Sequence, residues 1–214
     1  MEALVTLFFI ASTAAAVLVG ATFARLGPRP FRSFGLGLTS SGVAFAIWTI
    51  AVITKPEGSL GGWVTVGVFF FFAALVLFAL SWVSELPDEQ RTIALLVGAA
   101  WVVGVVVLRI VYPSHPDFSE NGLFFFNPHG SVAAFEIFGL TAGMLPAVFR
   151  LAGRLKTRDA LVAKVSFVTL VVGGVLLISS HDEVLLNFDG WAMGLAFLAL
   201  LYSFVARKPE TWLA

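Results

Sequence analysis

Apolar residues run along this chain in seven long stretches, at approximately Leu4–Phe23, Gly35–Thr54, Trp63–Val83, Thr92–Val111, Ser131–Phe149, Leu161–Ser179 and Trp191–Ala206. Each approaches the roughly 20 residues that a helix needs to cross a hydrocarbon core of about 30 Å, where every backbone N–H and C=O must be satisfied within the segment. The pattern predicts an all-α, polytopic membrane protein: a single domain over residues 1–214 with seven transmembrane helices in one bundle. The last stretch is the shortest. The longest connection runs only from Tyr112 to Gly130, and no internal repeat is visible by eye.

Composition agrees with the pattern. Of 214 residues, 59% are hydrophobic and 12% charged, and the mean hydropathy is +0.96. Soluble domains sit near 45–50% apolar and about 25% charged, so this chain lacks the polar surface to cover a globule. Zero formal charge leaves no basic footprint for nucleic acid. The absence of cysteine excludes disulfides, thiolate metal sites and cysteine nucleophiles.

Where the charges fall sets the expected direction of insertion. Alternate connections collect Arg25, Arg29, Arg32, Arg91, Arg150, Arg154, Lys156, Arg158, Lys164, Arg207 and Lys208, whereas the other side holds only Lys55 and Arg109. The positive-inside rule then places the N-terminus outside and the C-terminus in the cytoplasm of a cell-membrane protein. The first stretch is expected to be a retained helix and not a cleaved signal, because its short leading segment Met1-Glu2-Ala3 carries no basic side chain and the arginines follow the apolar run.

Local signals place some boundaries. Asn127-Pro128 offers a capping side chain and a first-turn proline for span five, and Pro87-Asp88-Glu89 opens span four with acids at the positive helix end. Trp63, Trp82, Tyr112 and Trp191 lie near expected span ends, where amphipathic rings favour the headgroup layer. Gly122 to Phe126, beside His129, reads as a segment lying along the membrane interface. Association in lipid depends on close approach of small residues. Ser12, Ala16 and Gly20 supply these in span one, Ala100 and Gly104 in span four, and Gly139, Gly143 and Ala147 in span five. Phe69 to Phe72 wraps the whole circumference of span three, so part of that run must face lipid or another subunit.

Ionisable side chains inside the spans are rare, which makes each a candidate site. Glu136 lies about 8 Å into span five at 1.5 Å per residue, in register with Gly139 and Gly143, so it turns toward the packed face. A carboxylate there must pair, protonate or meet water. Arg109, near the outer end of span four, is its expected partner, as a structural ion pair or as an anion- or proton-handling pair in an outward-facing cavity. His115, His129 and His181 all fall on the expected outer side, with Asp117, Glu120, Asp182, Glu183 and Asp189. Imidazole and carboxylate suit zinc or copper, so His115, His129, His181 and Asp182 form a candidate metal set, although no HExxH or comparable spacing occurs. Thr39-Ser40-Ser41 and Ser179-Ser180 can return hydrogen bonds to their own helices or line a polar path.

Several activities are excluded. Seven helices and an external N-terminus superficially resemble rhodopsins, but a retinal Schiff base needs a mid-span lysine; the last span has none, and Lys164 lies at the end of span six. No expected span interior holds a histidine to ligate haem. GxSxG, Walker A, dinucleotide-binding and Asp-rich isoprenoid patterns are missing. No resident cofactor is implied, zinc or copper at the rim apart. The sequence therefore favours a non-enzymatic membrane protein, either a small-solute or ion-handling unit or an integral subunit of a larger membrane assembly. Its expected partners are the lipid bilayer and other membrane subunits or further copies of itself, not nucleic acid. The rival reading is a membrane-embedded enzyme with an outer-face metal or carboxylate site built from His115, His129, His181, Asp182 and Glu136.

Overall fold

In the computed structural model of the chain, residues 2–27, 29–54, 60–113, 117–118, 124–125, 127–207 and 211 are described. Seven α-helices follow the seven apolar runs: α1 (Glu2–Leu26), α2 (Arg29–Thr54), α3 (Leu60–Val83), α4 (Asp88–Val111), α5 (Gly130–Ala152), α6 (Thr157–Ser179) and α7 (Glu183–Phe204). Between α4 and α5 a two-residue antiparallel ladder pairs β1 (Asp117–Phe118) with β2 (Phe124–Phe125). Helices α2 to α7 are each long and apolar enough to cross a membrane, and within α1 the segment Ile10–Leu26 is a shorter apolar stretch. The protein is thus an all-α, multi-pass membrane bundle.

Most helix ends lie within a few residues of the apolar runs, and the exception is informative. The run at Trp191–Ala206 belongs to a helix that starts eight residues earlier, at Glu183. Asp182 caps it, its Oδ1 accepting from the amides of Val184 at 2.9 Å and Leu185 at 3.0 Å. Asn187 returns its amide to Glu183 O at 2.8 Å. These bonds satisfy amides and side chains that apolar continuity alone cannot account for. Trp191, expected near a span end, instead stands well inside α7 with its ring exposed.

The start of α5 also differs. His129, not Asn127, is the capping residue, its Nδ1 accepting from Ser131 N at 3.3 Å. Asn127 adopts a positive φ of 42°, a conformation asparagine tolerates better than most residues.

The bundle is a closed ring of six helices. Packing runs α1–α2–α3–α5–α6–α7 and returns to α1, while α4 lies outside against α5 and α3. Exchanging α1, α2 and α3 for α5, α6 and α7 maps this order of neighbours onto itself, so the ring consists of two three-helix units with α4 as the connector. Close helix approach follows the small residues. A Cβ added to Gly20 of α1 would lie 2.6 Å from Thr39 Oγ1 and 2.7 Å from the Gly35 carbonyl of α2. On α5, Gly143 would meet the Leu75 carbonyl of α3 at 3.0 Å, and its own carbonyl accepts from Trp82 Nε1 at 3.2 Å. Ala100 of α4, by contrast, is exposed. In the phenylalanine run of α3, Phe69 and Phe70 are exposed while Phe71 and Phe72 pack against the core.

The two ends of the ring are built differently. At the arginine-rich end, the rings of Phe23, Phe31, Phe34, Phe78, Phe167 and Phe204 form one edge-to-face and tilted cluster, with Phe34 5.0 Å from both Phe78 and Phe167 and Phe23 5.0 Å from Phe204. Such geometries are the favoured ones for aromatic quadrupoles. Arg207 pairs with the buried Asp159 and tethers the end of α7 to the first turn of α6. Arg154 pairs with Glu85 across the ends of α5 and α3.

Candidate functional site: a central cavity and its ion pair

Bounded by Phe78 of the phenylalanine cluster, the ring opens into a cavity offering about 80 Å³ to water centres. One water needs roughly 10–15 Å³ on this measure, so there is room for several waters or a small solute. The space beside the phenylalanines amounts to about 10 Å³, too little for more than one water. The cavity is therefore blind at the arginine-rich end.

Every helix contributes to its wall. Glu136, Leu140 and Met144 form a stripe at i, i+4 and i+8 on α5; Leu38, Ser41, Phe45 and Trp48 form one on α2; Leu170, Gly174, Leu177 and Ile178 form one on α6. Helical periodicity brings each set to one face. Val68, Phe71 and Phe78 of α3, Ala16 of α1, Met193 and Phe197 of α7, and Arg109 of α4 complete it. Trp48 is held by its indole N–H, which donates to the Val64 carbonyl at 3.4 Å.

Among these largely apolar side chains, Glu136 and Arg109 are the charged ones. Arg109 donates from Nε to Glu136 Oε1 at 2.8 Å and pairs with the same oxygen through its terminal nitrogen. The Glu136 side chain is 7% exposed and that of Arg109 15%. Desolvation of either charge alone would be costly, and two charge-assisted bonds offset it. Position follows from the helices: Glu136 is six residues into α5, and Arg109 lies in the last turn of α4. Trp101 fixes α4 at that depth, donating to the Phe135 carbonyl at 2.7 Å. Thus the one helix outside the ring delivers the cavity's guanidinium.

Ser41 is the hydroxyl lining the cavity, and it donates to the Gly37 carbonyl at 3.1 Å. Thr39 likewise returns to Gly35 at 3.0 Å. Ser40 crosses to α3 and donates to Phe70 O at 2.8 Å. Own-helix and interhelical bonding therefore coexist in this triplet.

The rim residues have other partners. His129 caps α5 and stacks on Tyr112 at 4.1 Å between centroids. His181 Nε2 donates to Asn127 Oδ1 at 2.7 Å, and Asp182 caps α7. His115 lies outside the described residues, as does most of the segment from Gly122 to Phe126. Among the described residues no three His, Asp or Glu side chains gather into a set able to hold a metal ion.

Asp189 is the residue that sequence reasoning misplaced. Expected in an outer connection, it lies six residues inside α7, 4% exposed, with Oδ2 buried and unpartnered. Only its spacing from Met193 and Phe197, at i+4 and i+8, hinted at a buried face.

Fold and cavity together define a multi-pass α-helical membrane protein enclosing a blind, mostly apolar cavity with one buried ion pair. Neither family models, curated proteins nor solved structures provide a match to this chain.

Proposed function

We propose that this protein is a non-enzymatic small-solute-binding unit of the cell membrane, with the central cavity as its site. The observation that carries the reading is the cavity itself, walled by all seven helices and containing one guanidinium–carboxylate pair. Such a chamber suits a compact, largely apolar solute bearing a single charged or polar group, because apolar walls supply contact area while a few polar groups fix orientation. The cavity's hydroxyl is bonded to its own helix and stands as no nucleophile beside a base, which supports binding over catalysis. The Lys and Arg distribution supports an arginine-rich end in the cytoplasm, a C-terminus on that side and a cavity facing outward. Lipid is the partner for the exposed apolar faces, α4 foremost among them.

Trp48 supplies the test. Titrating the detergent-purified protein with small aromatic carboxylates, amines and alcohols should change Trp48 fluorescence saturably and raise Tm, since a ligand bound only by the folded state stabilises it. Met144→Trp, which fills the cavity, should abolish both responses, and Trp48→Phe should abolish the optical one. Binding that survives Met144→Trp would place the site elsewhere.

A further inference from the structure

Three buried side-chain atoms among the described residues have no hydrogen-bond partner: Asp189 Oδ2 on α7, and Ser12 Oγ and Thr13 Oγ1 on α1. The two helices pack against each other. Ser12 stands one turn before Ala16 and Asp189 one turn before Met193; Ala16 and Met193 both line the cavity. Both orphans therefore sit a turn further from the arginine-rich end, on the faces their helices turn inward. The carboxyl occupies space that only a glycine provides, for a Cβ on Gly173 of α6 would lie 2.8 Å from Asp189 Oδ1.

Among the described residues no Lys, Arg or His forms an ion pair with this group. The ion pairs among the described residues join Arg91 to Asp88, Arg109 to Glu136, Arg154 to Glu85 and Arg207 to Asp159. Of the helices packed on α7, α6 carries Arg158, Asp159 and Lys164 in its first eight residues, toward the opposite end, and α1 carries Glu2 and Arg25 near its two ends. On α7 itself Glu183 lies in the first turn. Asp189 is about 9 Å into the helix at 1.5 Å per residue, beyond the first turn where the helix dipole favours an anion. A bare carboxylate at that depth is expensive, and a bound positive charge is one way to remove the cost.

We infer that Asp189 is a monovalent-cation site, its charge neutralised by a bound proton or sodium ion. The site is separate from the Arg109–Glu136 pair and does not depend on what the cavity binds.

The experiment compares Tm of the detergent-purified protein in sodium chloride and in choline chloride of equal ionic strength, each between about pH 5 and pH 9. The parent should shift by about 3 °C or more with sodium or with pH, and Asp189→Asn should lose that dependence. A response to sodium at fixed pH assigns the ion. A response to pH alone, with an infrared carboxylic C=O band that moves on 13C-aspartate labelling and vanishes in Asp189→Asn, assigns the proton. Dependence retained in Asp189→Asn, or no dependence in the parent, overturns the inference. Should that variant fail to fold, infrared spectra of the labelled parent decide. A protonated-acid band, or a carboxylate band sensitive to sodium, supports the site; labelled carboxylates indifferent to both overturn it.

Discussion

The Arg109–Glu136 pair joins two charges that neither lipid nor the apolar wall could solvate separately, so its partners should be strongly interdependent. Glu136→Gln or Arg109→Ala leaves one buried charge uncompensated and should cost about 3–5 kcal/mol, while the double variant should recover part of that loss. Thermal unfolding in detergent measures the cycle, and additive losses would mean that the two groups act independently. At the rim, His129 and His181 are engaged in a helix cap and an Asn127 contact. Their alanine variants should lose about 0.5–2 kcal/mol, the scale of a lost cap or hydrogen bond, with metal content at background. Stoichiometric zinc or copper in the parent, lost in these variants or in His115→Ala, would instead support the enzyme reading. Glu136 could be singled out from sequence because it is a lone acid in an apolar run with small residues at i+3 and i+7. Asp189 could not, because the polar stretch from His181 to Asp189 looks like a connection until its helical cap and first-turn bonds are seen.

Helices in lipid gain little from hiding apolar surface from one another, so their contacts depend on backbone proximity. The seam between α1 and α2 illustrates this at Gly20, whose added Cβ would fall within 2.7 Å of Thr39 and Gly35 atoms. Gly20→Ala should therefore force the helices apart and destabilise by about 1–3 kcal/mol. Gly194 of α7 has open space at the same construction. Gly194→Ala should be neutral or stabilise by up to about 1 kcal/mol through the unfolded chain and helix propensity. Equal Tm changes for the two variants would contradict the assigned seam. The small residues of spans one and five were readable as packing positions, and the structure buries them. Ala100 of span four was equally readable and is exposed, because α4 has Val105 as its only buried residue.

On the scale of the whole molecule, the proposed orientation predicts that a reporter fused after Ala214 resides in the cytoplasm. An external reporter would reverse the cavity's direction and place the phenylalanine-sealed end outside. Helix number, the approximate limits of six helices and the charge asymmetry between the two ends follow from local chain properties. Twenty apolar residues in succession have one workable backbone solution in lipid, and basic residues cluster in the connections wherever the packing leads. Helix neighbours are another matter. Lipid tails and protein interior are similarly apolar, so hydrophobic pattern does not distinguish a ring helix from one outside it. The displacement of α4, the blind cavity, the phenylalanine seal and the burial of Asp189 arise only when seven helices share three-dimensional space, because each is set by side chains on different helices meeting at one depth.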